Sequence, residues 1–246
     1  MLHAFNITRK IMMVSVAAFA ATVLFSSVPP AQAEEQSLLA EGARMYDKWY
    51  KVIKADKPTV SHPAYPSDKK YAKKPAANWR CKECHGWDTL GKDGAYSGGK
   101  HFSGIDGIDG MRGADTAKIV AVLKDDNHQY GDKMNAADLG KVAAFVSRGQ
   151  TDYSLYIDSA SKKLKGGDAA KGAAYFNTIC SNCHGVDGTL PKDMGKTLAK
   201  QMGNPWEVMH KIINGQPGEQ MPALRALDPQ IVVDIMAHIS TLPMKK

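Results

Sequence analysis

Cys81-Lys82-Glu83-Cys84-His85 and Cys180-Ser181-Asn182-Cys183-His184 repeat one pattern, Cys-x-x-Cys-His, and together use all four cysteines of the chain. The pattern suits covalent haem attachment. Two thiols one helical turn apart can add across the haem vinyl groups, and the histidine that follows at once can reach the iron. No thiol is left for a disulfide, a zinc site or a nucleophile. Cys-x-x-Cys alone also reads as a zinc half-site or a redox dithiol. A four-cysteine zinc site would waste both histidines, and thioredoxin-like motifs need a βαβ context that this chain lacks. The expected cofactors are two haem c groups and no zinc. Cys81, Cys84, His85, Cys180, Cys183 and His184 bind them, and His85 and His184 ligate iron.

An electron-transfer haem needs a second axial ligand, usually Met or His. For the second motif the candidate is Met221, in the loop Gly215-Gln216-Pro217-Gly218-Glu219-Gln220-Met221-Pro222. His210 reads as a surface or partner-facing residue, and His238 as packed or exposed. The first motif is read by laying the chain on itself. An offset of 93 residues brings Lys211-Ile212-Ile213 onto Lys118-Ile119-Val120 and Ile239-Ser240 onto Val146-Ser147 without a gap. Met221 then falls on His128, and Leu227 on Met134, which reads as a core residue. The expected iron ligands are therefore His85 with His128, and His184 with Met221. Met134 stays open as the alternative for the first iron, because Met is the commoner partner, and His101 or an open site is a further one. His101 could also line the haem edge, bond a propionate or sit on the surface. Trp79 and Trp87 flank the first motif and are expected to pack on the porphyrin as core aromatics.

Helices must position these groups. Apolar spacing predicts helices over Glu41 to Ile53, Ala117 to Leu123 and Ala136 to Val146 in the first half. In the second half a helix opens at Asp168 and runs through Ile179, another starts at Pro205, and Asp228-Pro229 caps the last. No alternating strand pattern appears, so the fold class is all-α.

Gly172, Tyr175, Cys180-x-x-Cys183-His184-Gly185, Met221-Pro222 and the ending near Leu242-Pro243 closely resemble the class I cytochrome c fold. The first half resembles it less well, because of an insertion. As a whole the chain is similar in plan to bacterial diheme c-type cytochromes, such as the cytochrome c4 family. That resemblance implies two tandem class I domains, each wrapped around one covalent haem. The N-terminal domain would span 34–149, with a Lys/Pro-rich insertion at about 54–78, and a linker 150–167 would lead to a C-terminal domain over 168–246.

Arg9 and Lys10, the apolar run Ile11 to Phe25 and the small-residue site Ala31-Gln32-Ala33 read as a secretory signal over 1–33, cleaved after Ala33. The expected location is the periplasm, with membrane contact only through a partner or an uncleaved signal. Removing the signal leaves 213 residues and lowers the net charge from +7 to +5, which haem propionates largely offset. Lys48 to Lys82 holds ten basic residues against Asp56 and Asp68. It reads as a solvated loop or as a docking face for an acidic redox partner, and nucleic acid is not expected. The functional expectation is an electron carrier rather than an enzyme. Its alternatives are an electron-transfer subunit of a periplasmic dehydrogenase, or a catalytic haem protein of peroxidase or sulfur-oxidising type. A cysteine-ligated sulfur-oxidising site would need a fifth cysteine.

Overall fold

The computed structural model describes residues 30–245, with side chains from residue 32. The predicted signal therefore lies almost wholly outside the described residues. The chain is helical, and the described residues form no strand, only isolated bridges at Gly91–Asp106 and Ile157–Leu164. The helices in order are α1 (Pro30–Val52), α2 (Pro75–Asn78), α3 (Cys81–His85), α4 (Thr116–Leu123), α5 (Ala136–Ala144), α6 (Ala169–Ile179), α7 (Ser181–His184), α8 (Leu198–Gln201), α9 (Pro205–Asn214) and α10 (Pro229–Ile239). None of them is long and apolar enough to cross a membrane.

Two helix crossings organise the molecule, and they are built alike. Gly42 of α1 lies so close to the Lys141 carbonyl of α5 that a Cβ there would collide with it. Gly172 of α6 meets the Asp234 carbonyl of α10 in the same way. Only glycine permits such backbone approach. Lys141 and Asp234 are 93 residues apart, as are the helix N-caps Asn135 and Asp228, whose side chains accept from the backbone N–H groups of Asp138 and Gln230. The offset read from apolar residues thus holds for caps and crossings too.

Each crossing carries an apolar cluster. One joins Met45, Tyr46 and Trp49 of α1 to Trp79, Ile119, Leu123, Tyr130, Met134, Leu139, Val142 and Val146. The other joins Phe176 to Trp206, Met209, Ile212, Val232, Ile235, Met236 and Ile239. Tyr153 and Ile157, in the expected linker, are buried in this second cluster, as is Trp87 from the first half.

Several details differ from expectation. The first helix begins at Pro30, upstream of Glu41, and its backbone is non-helical at Lys48. The helix expected over Ala136–Val146 turns into a π-helical segment at Phe145. His210 is not on the surface: it is 1% exposed. Helix α9 packs on its own cluster and on α1 as well. His210 Nε2–H donates to the Ala43 carbonyl of α1 (3.1 Å), and Nδ1 accepts from the Tyr153 hydroxyl (3.3 Å). Beside it, Asp47 is fully buried and bonded to both Arg80 and Lys211. Lys82 is likewise buried, paired with Glu83 at 2.6 Å. Arg80 and Lys82 therefore drop out of the expected docking face, leaving Lys51, Lys54, Lys57, Lys70, Lys73 and Lys74 exposed.

Candidate functional site

Both Cys-x-x-Cys-His motifs are short helices with the same ending. Gly86 and Gly185 follow the histidines with φ of 78° and 72°, and their N–H groups donate back to Lys82 and Ser181 carbonyls. A left-handed residue there stops the helix at the histidine, and glycine adopts it without a Cβ penalty. In each motif the ring is then oriented by a carbonyl further along the chain, 21 residues on from His85 and six from His184. His85 Nδ1–H donates to Asp106 O at 2.8 Å, and His184 Nδ1–H to Leu190 O at 3.1 Å. A carbonyl only accepts, so the proton sits on Nδ1 and Nε2 presents a lone pair. Burial pushes the pKa of His85 down, which keeps the imidazole neutral.

Cys81, Cys84 and His85 line a cavity of about 400 Å³ walled by Ile105, Ile108, Ile119, Leu123, Val142 and Val146. Burial raises the Cys81 thiol to about 11 and the Cys84 thiol to about 12. Both are neutral thiols in apolar surroundings. His128 lines the same cavity from the turn after α4. Its own Nδ1–H donates to Asp125 Oδ1 at 3.0 Å, and its backbone N–H to the same oxygen at 2.8 Å. These bonds hold the Asp125 carboxyl below its ordinary range.

The rings of His85 and His128 are 6.4 Å apart, centroid to centroid, and within 19° of parallel. Imidazoles at this separation on one cavity would both be available to hold a haem iron. Two thiols, two imidazoles with free Nε2 atoms and apolar walls therefore fit a covalently held haem. Met134 is 4% exposed in the first cluster and does not line this cavity.

At the second motif, Cys180 packs against the second cluster together with Met221, Leu198, Met202 and Leu242. Burial raises the Cys180 thiol to about 11. The Met221 loop is pinned to α9. Leu224 N–H donates to Ile212 O, and the Met221 carbonyl lies against Gly215, which ends α9 with φ 85°. A soft thioether carried on a pinned loop suits an axial ligand.

Other expected contacts are placed differently. His101 lies outside the cavity lining, stacked between Tyr71 and Tyr96 with Nδ1 2.8 Å from Glu83 Oε1. Neither Trp79 nor Trp87 lines the cavity. Trp79 donates to Val60 O, and Trp87 lies among Arg80, Lys82 and Lys211. His238 packs on Phe176. His62, which sequence reasoning missed, lines the cavity.

Residues 167–239 match the family model described as cytochrome c oxidase, cbb3-type, subunit III. That match supports a c-type cytochrome. A cytochrome c domain implies covalently bound haem c and electron transport, in keeping with the Cys180–His184 motif inside the matched span. No curated protein matches the chain.

Proposed function

We propose that this chain is an exported diheme electron carrier, built of two tandem cytochrome c domains and working between redox proteins. The observation that carries the reading is the paired construction of α3 and α7: two attachment motifs, each ended by a left-handed glycine, each with its histidine Nδ1–H held by a following carbonyl. Haem c would supply a one-electron iron couple. Cys81 and Cys84, with His85 and His128, would hold one group; Cys180 and Cys183, with His184 and Met221, the other.

The chain's own residues do the tuning. Asp106 O and Leu190 O orient the proximal rings, and the isoleucine, leucine and valine walls keep water from the first site. Thioether ligation favours ferrous iron and a second imidazole favours ferric iron, so the second site should have the higher potential. Buried Asp47, paired with Arg80 and Lys211, joins α1 to α9 and holds the two sites in one assembly. The exposed lysines of residues 51–74 form the surface for an acidic partner. The compartment in view is the periplasm, and neither nucleic acid nor zinc has a part.

A spectroelectrochemical titration of the purified holoprotein tests the proposal. Two one-electron transitions at different potentials are expected, and a single transition would contradict it. A second reading, a subunit of a larger respiratory or dehydrogenase assembly, is favoured by the matched family being an oxidase subunit. A stable complex surviving gel filtration at high salt would select it.

A further inference from the structure

We propose that His62, delivered by the Lys/Pro-rich segment, is a positioning residue for the first haem site: it clamps the backbone of His128. The inference rests on His128 being an axial ligand. His62 is 5% exposed, although the segment around it is rich in lysine and proline. A buried imidazole must be satisfied at every polar atom, and here each one is. The His62 backbone N–H donates to Asn78 Oδ1 at 3.0 Å. Nδ1 accepts from the Ala64 N–H at 3.3 Å, so Nδ1 carries no proton. The proton of the neutral ring is therefore on Nε2, which donates to the His128 carbonyl at 3.1 Å.

The clamp is itself braced. The ring packs against Trp79 and Tyr130, with centroids 4.3 and 5.8 Å away. Asn78, fully buried, closes the segment by donating from Nδ2 to the carbonyls of Tyr71 and Ala72. The Asp125 contacts of His128 are local to one turn, whose neighbours Asp126, Asn127 and Gln129 are exposed. The His62 bond instead reaches across 66 residues and ties that turn to the fold. In the second half the Met221 loop is pinned by a backbone bond to α9. The 54–78 segment thus acts as a strap that keeps His128 over the cavity.

The test uses the full holoprotein and carbon monoxide binding to the ferrous first haem. His62→Phe retains an aromatic ring and removes the donor, while His62→Gln retains a donor. Carbon monoxide should bind the Phe variant about tenfold faster than wild type, the scale of one lost hydrogen bond, and Gln should restore slow binding. Equal rates in Phe and wild type overturn the clamp, as do equally raised rates in Phe and Gln. Should the Phe variant not accumulate, His62→Leu repeats the comparison under the same criteria. His128→Ala separates the two claims. It should bind carbon monoxide fastest of all, and if it behaves as wild type the ligand assignment itself fails.

Discussion

The imidazole rings of His85 and His128 lie 6.4 Å apart, centroid to centroid, and within 19° of parallel, each with its Nδ1–H already committed to an oxygen. Held by these two nearly parallel imidazoles, a haem iron would receive π density along one direction and have its d levels split. The ferric first haem should therefore give an ordinary rhombic low-spin electron paramagnetic resonance signal, lost in His128→Ala. A single, strongly anisotropic low-field feature would instead mean rings close to perpendicular.

Met221 and Met134 should separate cleanly in the optical spectrum. Met221→Ala is expected to remove the weak red-edge band of a ferric His/Met haem and lower that haem's potential. Met134→Ala should leave the band intact and cost about 2–5 kcal/mol of stability, since it empties a buried position. Loss of half of a two-haem band in Met134→Ala would assign that residue to the first iron.

The contact between α1 and α9 should make the fold acid-sensitive. Burial holds His210 down to about 4, so the folded state excludes a proton that the unfolded chain binds below about 6.5. Stability is then full above 6.5 and falls by about 3 kcal/mol as pH drops to 4. Urea unfolding should show that slope in wild type and a flatter one in His210→Gln. Burial alone would raise the Asp47 pKa, but Arg80 and Lys211 prevail and hold it far below the carboxylate range. Its contribution is present above pH 4 and fades below. Asp47→Asn takes the carboxylate from Arg80 and leaves Lys211 only its longer pairing with Glu207 at 3.9 Å, and should cost about 3–5 kcal/mol at neutral pH.

The two Cys-x-x-Cys-His motifs were legible in sequence because the chemistry they suit requires adjacent residues. The approach of His128 to His85 was legible because Ile119 and Ile212, and Val146 and Ile239, keep one spacing of 93 residues through both halves. His210 misled because periodicity counts a single buried face, whereas α9 is covered on two sides. Lys82 misled because a charge run reads as solvated, and its partner Glu83 and the ring of Trp87 became visible only in the fold. His62 left no signal: it sits in an aperiodic segment, and its burial depends on Asn78, Trp79 and the distant His128.

Exposed lysines alone should govern encounter with an acidic partner. Reversing Lys57, Lys70, Lys73 and Lys74 to Glu should slow association several-fold at low salt and flatten its ionic-strength dependence. Stopped-flow electron transfer with a candidate acidic redox protein measures this. An unchanged rate would leave these lysines as a solvated loop.

The central claim is that each motif carries its own covalent haem, and intact mass under denaturing conditions tests it most directly. The holoprotein should carry two haem masses. Cys81→Ala with Cys84→Ala, or Cys180→Ala with Cys183→Ala, should each remove one. A wild-type chain bearing one haem, or none, would contradict the account.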